Sequence, residues 1–320
     1  MVVRFGPMTI GATIVQSWPA ILGSAGILSL GLISGSLAWW LLFPRRCRPR
    51  LLHLVPAHLA GYALNRLLPT GNMGELARIG FLHRVVPMQE LTASLVVATL
   101  LGTVVGQLFA VVGSVVALTA LPLSTWIGLS MLGVSLGMTA FTVGLLVMFR
   151  FGLFGRLTAF LTRFSWFSKL GRFVEKMQRL DKALADVSRF DRRDTLKCLA
   201  VLFFVRLTHL GSSALVVGFV LPSLSAGESL LVAFVLSTAG QLIEWVLAII
   251  PQGIGAVEGG NAVIFLALGL DPALGISIAL CQRVAGLILA TLSLLGFIRP
   301  APPVAHAGMQ DQQNELSGGH

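Results

Sequence analysis

The chain alternates long uncharged runs with short polar clusters. Residues 91–149, 59 in all, contain no Asp, Glu, Lys, Arg or His. A helix needs about 20 apolar residues to cross a bilayer, so this run alone holds two crossings. They are predicted at Leu91–Leu121 and Thr125–Phe149, joined by the uncharged turn 121–124. Phe5–Pro44 is a second uncharged stretch, and Pro19 divides it into a short helix, Pro7–Trp18, and a first full span, Ala20–Phe43. Three more spans follow at Cys198–Leu221, Ser229–Ile250 and 273–298, with a short helix at Gly259–Leu270. The runs do not alternate apolar and polar residues as strands of a transmembrane barrel do. The pattern predicts an all-α, polytopic integral membrane helix bundle of about six long spans, with two or more short, broken or re-entrant helices.

Two interruptions share their residue types. The first lies in the irregular stretch Leu51–Leu91 and reads Asn65-Arg66-Leu-Leu-Pro69-Thr-Gly-Asn-Met-Gly74-Glu75-Leu-Ala-Arg78. The second reads Pro251-Gln-Gly253-Ile-Gly255-Ala-Val-Glu258 and cuts one of the most apolar parts of the chain. Pro removes a backbone donor and Gly accepts positive φ, so helices break there. In lipid a break is tolerated only where protein buries it or it lines a wet cavity. Paired interruptions in opposite halves point to an inverted pseudo-repeat with a binding site at its interface. The candidate lipid-binding set is therefore Asn65, Arg66, Pro69, Gly74, Glu75 and Arg78 from the first break, and Pro251, Gly253, Gly255 and Glu258 from the second. Glu244, two turns before Pro251, and Arg283, inside the last span, complete it. Glu75 and Glu258 are expected to approach one cavity, with Arg78 and Arg283 as their cationic partners. The bland alternative for Glu75 and Arg78, three residues apart, is an ion pair at a helix start. Arg206 and His209 share a face of their span, and an Arg206–Glu244 pair would relieve two charges in lipid.

Composition agrees with a membrane setting. Only 11% of residues are charged and mean hydropathy is +0.87, against about 25% charged in soluble domains. The net charge of +10 is concentrated in residues 150–197, where 12 Lys/Arg face five acids. The apolar residues of that segment recur at helical spacing, as in a basic amphipathic helix pair lying on anionic lipid. Four arginines between Arg45 and Arg50 mark a span end. The positive-inside bias puts 45–50, 150–197 and 299–320 in the cytoplasm of a multi-pass protein of the inner or plasma membrane. Residues 1–299 form one transmembrane domain, and 300–320 are expected to be a disordered cytoplasmic tail. Nucleic acid is not an expected partner, since the basic segment is tied to the membrane at both ends. Cys47, Cys198 and Cys281 are scattered, and His53 and His58 are five apart, so neither disulfide, metal site nor cofactor is expected. Gly102 and Gly106, and Gly133 and Gly137, are spaced for close helix contact. Gln107 is expected to face another helix.

These motifs resemble a known family. Asn65-Arg-Leu-Leu-Pro69 followed by Gly74-Glu75 and Arg78 resembles the Asn-x-Leu-Leu-Pro-x-x-x-Gly-Glu/Asp-x-x-Arg signature of the lysylphosphatidylglycerol synthase transmembrane, or flippase-like, family. Pro251 to Glu258 is similar to its Pro-x-Gly-x-Gly-x-x-Glu, and the basic amphipathic middle also recurs there. Gln107-Leu-Phe109 with Gly113 resembles the branch associated with hopanoid biosynthesis, although Val97-Ala98-Thr99 stand where that branch has an acid. The resemblance implies a translocase or carrier for a polar or phosphorylated lipid, linked to lipid or cell-envelope biosynthesis. Its partners would be an anionic phospholipid, an aminoacylated lipid or an isoprenoid lipid, and lipid-biosynthesis enzymes. The soluble synthase domain of such proteins is not expected in the 21 residues after Arg299. Two alternatives stand beside this reading, a scaffold or regulator of lipid synthesis and a membrane-embedded lipid-modifying enzyme. The enzyme alternative lacks catalytic candidates, since the outer loops offer only Glu228.

The topology is testable in cells. Single cysteines replacing Ser188 and Ser317 should resist an impermeant thiol reagent until the membrane is opened. Labelling of either from outside would overturn the orientation.

Overall fold

A computed structural model describes residues 7–68, 73–150, 192–247, 250 and 253–298. The basic amphipathic segment between 151 and 191, the tail after 298, and the predicted site residues Pro69 and Pro251 lie outside the described residues. The helices in chain order are α1 (Pro7–Gln16), α2 (Trp18–Leu41), α3 (Leu51–Leu67), α4 (Met73–Leu82), α5 (Met88–Thr119), α6 (Thr125–Arg150), α7 (Arg192–Val220), α8 (Ala226–Val246), α9 (Ala256–Ala267) and α10 (Pro272–Ser293). Short 3₁₀ turns follow α2 at Arg45–Cys47 and α10 at Leu294–Ile298. Among the described residues, six helices are long and apolar enough to cross a membrane. Their outward residues are large and apolar, with Trp126 81% and Phe141 65% exposed, a surface that suits lipid and not water.

The helix ends follow local chemistry. Pro19 occupies the first turn of α2, where its missing N–H is not needed. Ser225 and Glu228 cap α8 reciprocally: Ser225 N donates to Glu228 Oε2 at 2.8 Å, and Glu228 N donates to Ser225 Oγ at 3.3 Å. The Glu228 carboxylate is thus committed to a helix start. Asp271 Oδ1 accepts from Ala273 N at 2.9 Å ahead of α10.

Small residues decide which helices touch. α2 lies along α7, with Gly23 under Leu215 and Gly31 under Thr208. Ser24 and Ser212 meet Oγ to Oγ at 2.5 Å in this seam. Lipid provides no hydrophobic drive between helices, so close approach and buried hydroxyl bonds carry the association. α5 holds α6 through Gln107, whose Nε2 donates to Met138 O at 3.0 Å and Thr142 Oγ1 at 2.6 Å. Gly106 makes room for Arg206 and Gln241, and Gly113 for Thr238. The expected contact at Gly133 and Gly137 is not formed, since a Cβ at either position meets nothing within 4 Å. Their spacing satisfies the small-residue rule, but they face away from the seam made by Ser135 and Thr142.

At the end of α2 where the arginines cluster, Arg48 acts as a clamp. Its guanidinium donates to Asp194 Oδ2 at 2.9 Å, to Leu41 O at 3.2 Å and to Phe43 O at 3.2 Å. It lies 4.4 Å from the Trp40 ring centroid, so one side chain ties the end of α2 to the start of α7.

The α3–α4 hairpin is a close backbone approach. A Cβ on Gly74 would collide with the Gly61 carbonyl and the Asn65 amide, and one on Gly61 with Arg78. Gly80, also on α4, has nothing within 4 Å of its absent Cβ. Gly74→Ala should therefore destabilise the protein by about 1–3 kcal/mol. Gly80→Ala should be neutral or stabilising by about 0.5–1 kcal/mol. Thermal unfolding in detergent distinguishes the two, and equal effects would contradict this packing.

Candidate functional site

The first interruption folds as a helix hairpin stapled by its own motif. Asn65 Oδ1 accepts from Gly74 N at 2.8 Å, which satisfies a backbone donor at the start of α4. Arg78 packs across Gly61, faces the Trp39 ring at 5.9 Å and lies in the field of Glu75. Its Nε is buried without a hydrogen-bond partner, as is His58 Nδ1. Arg66, on the preceding helix, is directed elsewhere, into the field of Glu244 and His209.

The second interruption uses left-handed glycines. Gly253 and Gly255 have φ of 58° and 82°, so the chain reverses there without strain. Glu258 stands in the first turn of α9 and its carboxylate is used twice. Oε2 accepts from Gly255 N at 2.8 Å. Oε1 accepts from Arg283 Nε at 2.8 Å and pairs with Arg283 Nη2 at 2.7 Å. The two-pronged contact ties α9 to α10 and neutralises both charges. Arg283 is thus the partner expected for Glu258.

Between these elements lies a cleft of about 270 Å³ walled by α2, α3, α5, α7, α8, α9 and α10. Arg66, Arg206 and Glu244 give it charge, and His209, Gln241 and Gln282 add polar side chains. Arg206 is held by Gly102 O at 3.3 Å and Gln241 Oε1 at 3.4 Å, and Gly106 leaves the space it occupies. Glu244 sits in the combined field of Arg66, Arg283, Arg206 and Glu258. The anticipated Arg206–Glu244 ion pair is not formed: the two charges act on each other across the cleft, and the hydrogen bond that Arg206 makes to α8 goes to Gln241. A separate apolar groove of about 340 Å³, lined by residues such as Leu51, Pro56, Leu59 and Leu295, offers no side chain that would recognise a headgroup.

Of the twelve residues singled out in the sequence, Arg66 and Glu244 line the cleft. Glu258 and Arg283 stand behind it, within the field of Glu244. Glu75 and Glu258 do not share the cavity expected for them: neither lines it. Glu258 turns back on its own helix start and on Arg283, and Glu75 stays beside Arg78 on the hairpin. Arg206, His209, Gln241, Gln282 and Ser213 line the cleft and were not named as site residues. Their signal was present: each is a polar side chain inside an apolar span, which is where membrane proteins keep functional groups.

A bundle of apolar helices with charged side chains around an internal cleft is the architecture of a multi-pass membrane protein. The chain matches the family described as the Lysylphosphatidylglycerol synthase TM region over residues 3–293, and it belongs to that family. No curated protein and no solved structure matches it.

The Glu258–Arg283 pair is testable as a unit. Glu258→Gln and Arg283→Met should each lower thermal stability, because each strands a half-buried charge or a helix-start N–H. The double variant should lose less than the sum, with a coupling of about 1–3 kcal/mol. Additive losses would show that the contact does not hold α9 to α10.

Proposed function

We propose that the protein binds the headgroup of a membrane phospholipid in this cleft and carries it between leaflets, in support of lipid or cell-envelope biosynthesis. The observation that carries the reading is the placement of Arg66, Arg206 and Glu244 around one cleft, the last two in apolar spans whose other charges lie only in their first two turns. A charged side chain at the centre of a span costs about 2.5–3.5 kcal/mol on insertion scales. Of the three charges around this cavity, Arg206 stands mid-span and bears that cost most fully, and packing alone gives no reason to gather them. Guanidinium groups hold phosphate through charge-assisted bonds, and Glu244 balances the arginines when the cleft is empty or accepts a coupling proton or cation. The family supports a lipid-related role in general terms. The finer points, flippase activity, an inner-membrane location and a cytoplasmic middle segment, are part of this proposal.

Glu228, the acid the loops offer to the enzyme alternative, is committed to capping α8.

Reconstituted vesicles carrying a fluorescent phospholipid test the reading through the rate at which the label becomes reachable by an impermeant quencher. The protein should raise that rate well above protein-free vesicles. Arg206→Gln should slow it about tenfold or more, the effect of losing one or two charge-assisted bonds. Arg46→Gln, whose side chain is 77% exposed beside Glu90, should not. Thermal unfolding recorded in parallel separates lost function from lost fold. A rate no faster than protein-free vesicles would contradict the proposal.

A further inference from the structure

Glu244 lines the cleft with an exposed side chain, yet its carboxylate makes no hydrogen bond or ion pair with another described residue. Charges surround it without touching it. Arg66 from α3, Arg206 from α7 and Arg283 from α10 attract it, and Glu258 from α9 repels it. Two of these are committed to each other, since Arg283 Nη2 lies 2.7 Å from Glu258 Oε1. Arg206 donates to Gln241, one turn before Glu244 on α8, and to Gly102 O. A Cβ on Gly253 would meet Glu244 Cγ at 3.4 Å, so the stem of Glu244 rests against the second break. The other titratable groups of the cleft lining are His209 on α7 and Tyr62 on α3, while α2 and α5 bring only Leu28 and Phe109.

A charge count shows what this arrangement does when an anion arrives. Two arginines against one glutamate leave the cleft one positive charge. A phosphate diester adds one negative charge and takes the guanidinium groups as its partners. It replaces the carboxylate as their counter-ion and stands beside it as a like charge. Both changes favour the protonated acid. Uptake of one proton at Glu244 then restores the single positive charge. Filled and empty clefts carry the same charge, in a setting where an uncompensated one is costly.

We infer that a phosphate headgroup and a proton enter this cleft together, the proton on Glu244, so that lipid movement is coupled to proton movement. The inference rests on the phospholipid reading above and deepens it by naming the coupling ion. The proton comes from water in the cleft and binds a carboxylate oxygen, and no bond of the lipid changes. The linkage is reciprocal: the phosphate tightens proton binding, and the proton tightens phosphate binding by the same factor. When the lipid leaves, Glu244 returns to the field of the arginines and releases its proton, so both depart on the same side.

The test titrates the full chain in detergent with short-chain phosphatidylethanol, whose head is a phosphate diester that stays ionised and carries no other polar group. Calorimetry at one pH, in two buffers of different ionisation enthalpy, counts the protons exchanged. The wild type should take up close to one proton per lipid and bind more tightly as pH falls, by up to about tenfold per pH unit. Glu244→Gln should still bind, with no proton uptake and an affinity that no longer follows pH. Glu244→Asp, which keeps the acid, and His209→Gln should both retain the uptake. Unfolding temperatures are recorded for each, and if Glu244→Gln does not fold, the wild type and His209→Gln decide. Lipid binding without proton uptake or pH dependence overturns the proton inference and leaves the phospholipid reading standing. Uptake lost in His209→Gln and kept in Glu244→Gln does the same. Binding of phosphatidylethanolamine but not of phosphatidylethanol would assign Glu244 to the ammonium group and also overturn the inference. Binding of neither lipid overturns the phospholipid reading as well. Diethyl phosphate, a soluble diester, matching the lipid in affinity and proton count would support the linkage and place its ligand in water, against the lipid reading.

Discussion

Hydrocarbon offers no hydrogen bonds, so every backbone group freed by a helix break must be answered from within the protein. Both breaks in this chain answer that demand in the same manner. At the first, the Asn65 carbonyl oxygen takes the N–H of Gly74; at the second, the Glu258 carboxylate takes the N–H of Gly255. The motif side chains are the partners of the motif backbone. Each break then directs a following or flanking helix toward the bundle centre, α3 bringing Arg66 and α8 bringing Gln241 and Glu244 to a common cleft. The site is a consequence of how the breaks are satisfied, more than of the break residues themselves.

That division explains how much of the molecule was legible in the sequence. Spans were legible because length and absence of charge are sufficient to define them, and observed boundaries differ mainly where polar residues join a helix end, as at Arg192–Lys197 ahead of Cys198. The breaks were legible because Pro and Gly act locally. The Glu258–Arg283 pair was half legible: one of two cationic partners proposed for the carboxylates is the one used. The cleft was not legible. Arg206, Gln241, Ser213 and Gln282 are single polar residues on three helices, and only the rotation and packing of those helices brings them together. Gly106 and Gly113 take part in setting that packing, and a spacing rule alone could not separate them from Gly133 and Gly137, which meet nothing within 4 Å.

Glu75 and Arg78 show the same limit from the other side. The signature that identifies the family contains them, and the structure places them against Trp39 and Gly61 and away from the cleft lining. A signature records what the chain needs in order to fold as well as what it needs in order to bind. Here Asn65, Gly74 and Gly61 form one closely packed unit, whereas Arg66, embedded in the same run of residues, lines the cleft.

The central claim is that lipid headgroups enter the cleft among α3, α7, α8, α9 and α10. A phospholipid carrying a photoactivatable group on its head, crosslinked to the protein in a bilayer and mapped by peptide mass spectrometry, tests it most directly. The account predicts adducts on the cleft segments 206–213 and 237–244, suppressed by excess of the same phospholipid without the photoactivatable group. Adducts confined to the outward surface, at residues such as Trp126 and Phe141, and insensitive to that competitor, would contradict it.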